Sequence, residues 1–269
     1  MDILEEIIAH KRAEVAERKS LFPIKLLESS IYYGSQTVSL KKYVLRSDKS
    51  GIIAEIKRKS PSKGMINAHV GVERTSIGYM QAGASALSVL TDTKYFGGKN
   101  EDLTIARKYN FCPILRKDFV VDEYQIVEAK SIGADAILLI AAALKPEKVT
   151  QLAQFASSLG LEVLLEVHSE QELVSSLNEH VDLVGVNNRN LKTFEVDLAT
   201  SIVLTNKIPS QFVKVAESGI EKVEDIVKLK VAGYHGFLIG ERFMQSSRPE
   251  KSCANFIERL SQFEQKEYV

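Results

Sequence analysis

Eight short apolar runs rich in β-forming residues recur along the chain, and no other feature limits the fold as tightly. They begin near Gly51, Ala86, Cys112, Asp135, Glu162, Asp182, Val213 and Gly236. The starts lie 20 to 35 residues apart, room each time for a strand, a helix and two loops. The stretches between them carry helical periodicity, as in residues 146–159 with Val149, Leu152, Ala153, Phe155 and Ala156, or 221–231 with Val223, Ile226, Val227 and Leu229. Runs such as "AILLI", "EVLLEV", "DLVGV" and "GFLIG" are nearly continuous in apolar residues, the pattern of parallel strands covered on both faces. Eight such units over residues 51–269 predict an α/β fold, a (β/α)8 barrel of the usual ~250-residue size. A doubly wound open sheet is the alternative, but the strand-to-helix turns hold no GxGxxG or GxxxxGK[ST] loop.

The first 50 residues precede the eight units. Ile3, Leu4, Ile7, Ile8 and Val15 mark an amphipathic helix, and residues 32–45 hold a second, shorter one. With no Pro- or Ser-rich linker in the sequence, residues 1–50 read as a helical extension capping a barrel of residues 51–269, within one domain spanning 1–269.

Charge narrows the function. Thirty-five basic and thirty-five acidic residues cancel, so no global field recruits nucleic acid or an anionic membrane, and any anion site is local. The longest wholly apolar run, residues 136–144, is far shorter than the ~20 residues of a membrane span. The N-terminus is charged throughout, and Cys112 and Cys253 form no CxxC pair, so a cytoplasmic protein is expected. Cys112 reads as a small core hydrophobe. His10, His69, His168, His180 and His235 show no HxxxH or HxH spacing, so no metal is expected. His168, just after the fifth strand, could line the mouth of the barrel but reads more readily as a surface or packing residue.

In such barrels reactive side chains lie at the C-terminal ends of the strands. The first run, "IIAEIKRKSPSKG", places Ile53, Glu55 and Lys57 on one face, because side chains alternate across a strand. Lys117 ends the third strand, Glu166 the fifth, and Asn187 and Arg189 the sixth. Glu217, Ser218 and Gly219 end the seventh, and Gly240 and Glu241 the eighth. If the cations Lys57, Lys117 and Arg189 face the carboxylates Glu55, Glu166 and Glu217 across one cavity, pairing offsets desolvation and keeps the lysines protonated as general acids, with the carboxylates as bases. Gly219 and Gly240 stand at the turns after strands seven and eight, the common phosphate site of these barrels, where backbone N–H groups approach phosphate oxygens and a helix start adds attraction.

The motifs "AEIKRKSPSKG", "LTDTKYFGG", "ILRKDFVVDEYQI", "LLEVH", "VNNRNLKTFEVDL", "AESGI" and "LIGERFM", in this order, together with the N-terminal "ILEEIIAHKRAEVAERK", resemble indole-3-glycerol phosphate synthase of tryptophan biosynthesis over nearly the full length. The resemblance implies a carboxy-lyase that converts 1-(2-carboxyphenylamino)-1-deoxyribulose 5-phosphate to indole-3-glycerol phosphate, carbon dioxide and water. It implies no cofactor, a small phosphorylated substrate as the partner, and a monomer or weak homo-oligomer. Lys117 matches the lysine that protonates the substrate carbonyl during ring closure. Glu55, Lys57 and Glu166 match the acid/base positions, with their division of labour open, and Asn187 matches the group that orients them. Arg189 and Lys57 are candidates for the substrate carboxylate, Glu217 and Ser218 for the sugar, and Ser60, Pro61 and Phe119 for the aromatic ring. The backbone at Gly219, Gly240 and Glu241 is the candidate phosphate cradle. "KRKSPSKG" reads as a loop that closes over substrate; Arg58, Lys59 and Lys63 read as solvated charges without a catalytic role, Lys59 with a possible part in docking the loop. Departures from the family pattern, Lys99 in "FGGKNEDL" and the bulky Phe243, remove no proposed catalytic group.

Two competing readings fit less well. A phosphoribosylanthranilate isomerase relies on a Cys/Asp pair, whereas Cys112 begins a strand here. A non-catalytic metabolite-binding barrel is expected to have lost Lys117, Glu166 or Lys57, and all three are present.

Overall fold

The computed structural model describes residues 2–191 and 193–267. Lys192 of the "VNNRNLKTFEVDL" motif and the outermost ends of the expected domain lie outside the described residues. Eight parallel strands close into a barrel in sequence order: β1 (Ile52–Ile56), β2 (Ala86–Leu90), β3 (Ile114–Lys117), β4 (Ala136–Ile140), β5 (Glu162–Val167), β6 (Leu183–Asn187), β7 (Val213–Glu217) and β8 (Gly236–Ile239), with β8 pairing back onto β1. Every strand falls within two residues of its expected start.

Alternation along the strands sorts their side chains into two cores. Ile53, Leu115, Leu138, Leu164 and Val215 point inward and fill the barrel. Ala54, Ile56, Leu139, Leu165 and Ala216 point outward and pack under the helices. Burial on both faces is why these runs read as nearly continuous apolar sequence. The helices are α1 (Ile3–Leu21), α2 (Ile24–Glu28) and α3 (Leu40–Val44) before the barrel. Then come α4 (Val72–Gln81), α5 (Asn100–Tyr109), α6 (Glu123–Ser131), α7 (Pro146–Ser158), α8 (Glu170–Ser176), α9 (Ala199–Leu204) and α10 (Val223–Val231), with α11 (Glu241–Met244) and α12 (Pro249–Glu267) after β8.

The N-terminal segment touches both ends of the barrel. α1 opens with a reciprocal capping box, Asp2 accepting from the Glu5 N–H and Glu5 from the Asp2 N–H, each at 2.9 Å. It lies over the C-terminal rim, where Lys11, fully buried, places its Nζ 2.9 Å from Asp92, 3.0 Å from Asp118 and 3.1 Å from Glu14. Arg18, also on α1, pairs with Glu128, which pairs in turn with the buried Arg116. The chain then descends past α6 to the opposite end. There the Val38 N–H meets Asp135 at 2.8 Å, Ser39 bonds Glu162, and Leu40 and Val44 of α3 plug the barrel floor. The expected extension is therefore a cap at the top and a stopper at the bottom; α2 and its turn link the two. No described helix is long and apolar enough to cross a membrane.

One expectation needs correction. "KRKSPSKG" is not simply a loop of solvated charges. Lys59–Ser60 pairs with Gly64–Met65 as a small antiparallel ribbon joined by a turn at residues 61–63, with Gly64 at φ +67° where the chain leaves the turn. Arg58 is ion-paired with Asp102 of α5 at 2.5 Å, and Lys59 donates to the Lys94 carbonyl at 2.6 Å. Carboxylate and carbonyl acceptors from the β2–α5 segment recruit both side chains, which sequence spacing does not reveal.

Candidate active site

The C-terminal ends of the strands surround a cavity of about 970 Å³. Glu55, Lys57, Ser60, Pro61, Lys117, Phe119, Glu166, Asn187, Arg189, Glu217, Ser218, Gly219, Gly240 and Glu241 all line it, so the structure brings every candidate site residue to one chamber.

Lys117 stands at its centre. Its ammonium donates to Glu166 Oε2 at 2.9 Å and to Glu217 Oε2 at 2.6 Å. Burial alone would favour its neutral form, but Glu166, Glu217 and Glu55 outweigh it and hold the lysine protonated well above its ordinary range. Beside it, Lys57 Nζ lies 2.8 Å from Glu55 Oε1, as strand alternation on β1 dictates. Asn187 links two neighbours. Its amide N–H donates to Glu166 Oε1 at 3.0 Å, and its Oδ1 accepts the Arg189 N–H at 3.0 Å.

The two carboxylates on Lys117 differ. For Glu166, burial raises the carboxyl, but Lys117, His168 and the hydrogen bonds from Lys117 and Asn187 bring it below the usual value. For Glu217, burial dominates, Lys117 opposes it and the negative charge of Glu166 adds to it, so this carboxyl is raised. The shorter contact to Lys117 therefore belongs to the carboxylate that is harder to ionise, because burial and like charge outweigh one hydrogen bond.

Backbone geometry shapes the seventh and eighth strand ends. Ser218 and Gly219 adopt φ +67° and +76°, a left-handed pair that turns their backbone around the cavity rim. The buried Asn188 fastens this turn, donating to the Glu217 and Ser218 carbonyls, both at 3.1 Å. A Cβ on Gly240 would stand 2.5 Å from Glu55 Oε1, and one on Gly185 would overlap Glu217 Oε1. Both glycines clear space for a carboxylate. Across the rim Arg189 lies 3.3 Å from Glu241, and Lys63 of the ribbon lies 3.5 Å from the same carboxylate.

Sequence reasoning missed part of the lining. Ile3, Leu4 and Ile7 of α1 close one wall, and Phe96 joins Phe119 with ring centroids 5.9 Å apart. The apolar stripe of α1 was legible, but not that it faces the chamber. Gly185 and Lys11 carry no signal that distinguishes them from an ordinary strand glycine or helix lysine. His168, read mainly as a surface or packing residue, is half-buried beside Glu166.

The sequence profile described as indole-3-glycerol phosphate synthase matches residues 4–256. An indole-3-glycerol phosphate synthase of Bacteroides thetaiotaomicron is 49% identical over 259 residues, covering 96% of this chain and 99% of the relative. One from Chromobacterium violaceum is 44% identical over 256 residues, covering 94% and 97%. Among solved structures, a chain from the tryptophan synthase complex of Pyrococcus furiosus superposes with a TM-score of 0.60 at 14% identity, covering 80% of this chain and 100% of that one, a likeness of fold alone. With the profile spanning most of its length and relatives near half identical, this chain belongs to the indole-3-glycerol phosphate synthase family.

Proposed function

We propose that this chamber closes, decarboxylates and dehydrates 1-(2-carboxyphenylamino)-1-deoxyribulose 5-phosphate to indole-3-glycerol phosphate in tryptophan biosynthesis. The observation that carries the reading is the Lys117 ammonium held between Glu166 and Glu217 at the centre of the cavity. A buried cation kept protonated by two carboxylates is suited to deliver a proton to a carbonyl oxygen.

The ring carbon bearing the carboxylate attacks the ketose carbonyl, whose oxygen takes a proton from Lys117 and becomes a hydroxyl. Carbon dioxide then leaves, and its bonding electrons restore the aromatic ring. Loss of the hydroxyl as water, with removal of a proton from the adjacent carbon, completes the indole. The sum consumes one proton for each carboxylate lost. Glu55, Lys57 and Glu166 supply the remaining proton transfers, and Asn187 orients Glu166. Arg189 and Lys57 hold the substrate carboxylate, and Ser218 and Glu217 line the sugar. Ser60, Pro61 and Phe119 pack on the aromatic ring, whose burial adds apolar contact. The backbone of Gly219, Gly240 and Glu241 cradles the phosphate. A biosynthetic activity of this kind belongs in the cytoplasm.

The test is to add this substrate to purified protein with no added metal or cofactor and to follow indole fluorescence and carbon dioxide together. Equal release of both products is expected. Binding without either product would replace the synthase by a metabolite-binding barrel.

A further inference from the structure

The two carboxylates that share Lys117 have unequal surroundings. Glu217 Oε1 has no hydrogen-bond partner among the described residues. Glu166 engages both oxygens, Oε2 with Lys117 at 2.9 Å and Oε1 with Asn187 at 3.0 Å. His168 Nε2, which likewise has no hydrogen-bond partner among the described residues, lies at ion-pair distance, 3.5 Å, from that same Oε1. The imidazole is largely buried, its side chain 14% exposed, and it is fixed from its far side. Glu172 Oε2 lies 3.3 Å from Nδ1 and accepts the His168 backbone N–H at 2.8 Å. The local sequence "HSEQE" builds this arrangement. Ser169 caps α8 by accepting the Glu172 N–H at 3.2 Å, and the first helical turn brings the Glu172 carboxylate back over residue 168. When His168 is protonated, charge alternates through the site: Glu172, His168, Glu166, Lys117, Glu217.

We propose that His168 is a positioning residue: Glu172 points its Nε2 at Glu166, and an imidazolium there reserves Glu166 as the ionised partner of Lys117 and leaves Glu217 to carry the exchangeable proton. Two carboxylates around one ammonium repel each other, so a cation closer to one of them favours ionisation of that one. The charged groups facing the imidazole are Glu166 on β5, Glu172 on α8 and Glu217 on β7, with Lys117 of β3 beyond Glu166. Burial disfavours the imidazolium, but Glu172 and Glu166 overcome it and raise its proton affinity. A protonated Glu217 touching Lys117 is placed to restore the proton that Lys117 gives up, while an ionised Glu166 stays a base, as the reading above requires. In turnover this role has meaning only for the synthase reading above; the titration below does not depend on it.

The experiment is a carboxyl 13C NMR titration of glutamate-labelled protein, with the Glu166 and Glu217 signals identified by their loss in Glu166→Gln and Glu217→Gln. In the wild type the Glu217 signal titrates at higher pH than that of Glu166. In His168→Gln the gap narrows by about one pH unit or more, the effect of removing one adjacent opposite charge. The corresponding limb of the kcat/KM pH profile moves with it, and Glu172→Gln, which keeps the imidazole but releases it, narrows the gap by less. An unchanged or widened gap in His168→Gln overturns the role, whatever that variant's melting temperature. If His168→Gln does not fold, an unchanged gap in Glu172→Gln overturns it instead. A wild-type protein with the split titration but no indole product would sink the synthase reading and leave His168 in its role.

Discussion

Lys117 and Glu217 meet from opposite walls of the barrel, four strands apart in a ring of eight, with 2.6 Å between Nζ and Oε2. The contact exists only because the barrel is closed. Replacing Lys117 by Met leaves Glu166 and Glu217 facing each other without the shared cation, and removes the proton donor for ring closure. Turnover is expected to fall by at least ~10²–10⁴, the usual worth of a general acid, while circular dichroism stays that of the wild type. Both kcat and KM need measuring, since the charge also bears on binding. Wild-type turnover in this variant would remove Lys117 from the mechanism.

Lys11→Met strands Asp92 and Asp118 without their ammonium partner in a buried site. Breaking one side of a buried pair costs about 3–5 kcal/mol, so the urea midpoint should drop steeply although the substitution lies on a helix outside the barrel. A loss below about 1 kcal/mol would show that water or rearrangement satisfies the two carboxylates.

The same network predicts acid sensitivity. Burial would raise Asp118, but Lys11 and Arg116 hold its carboxyl below the ordinary 3.8; for Glu128, burial likewise loses to Arg116 and Arg18, which hold it below 4.5. Each therefore binds a proton less readily folded than unfolded. The stability they contribute is fully present above their ordinary values and is lost as pH falls through the depressed folded values. Unfolding free energy measured by urea between pH 5 and pH 3 should decline, and Glu128→Gln should flatten the decline. An equally steep decline in that variant would assign the sensitivity to other carboxylates.

Gly185→Ala adds one methyl group at a backbone position that any residue can adopt, since its φ is not among the positive ones. That methyl collides with Glu217 Oε1, and the carboxylate must move off Lys117. Turnover should fall about tenfold or more, as a displaced catalytic constellation does, with KM less affected. An unchanged kcat would mean that Glu217 shifts without consequence.

Much of this architecture is written in local pattern. The strands announce themselves because both their faces are buried, and Glu55 and Lys57 because alternation carries them to the inward face of β1. Lys117, Glu166 and Glu217 follow from standing at strand ends. What the pattern conceals is whatever depends on partners distant in the chain. Lys11 reads as a helix lysine like Lys19, and only the folded Asp92 and Asp118 make it a buried hub. Arg58 reads as a loop charge until Asp102 is beside it. His168 is an intermediate case. Its Glu172 partner was visible four residues on, but the face it presents to Glu166 depends on how the chain turns from β5 into α8.

The path of the N-terminal segment also sets an order of events. Arg18 reaches a carboxylate 110 residues further along, and Ser39 one that is 123 residues further. Both precede their partners on the way out of a ribosome, and their seats do not exist until β3, α6 and β5 have been made. During synthesis Lys11 and the apolar stripe of α1 wait in solvent, and docking comes only after half the ring is assembled. Contacts of such long sequence separation are slow to form, and a nascent chain with its apolar stripe still unseated is open to aggregation. The segment that seals both ends of the barrel is thus made before its seats and is among the last parts to settle.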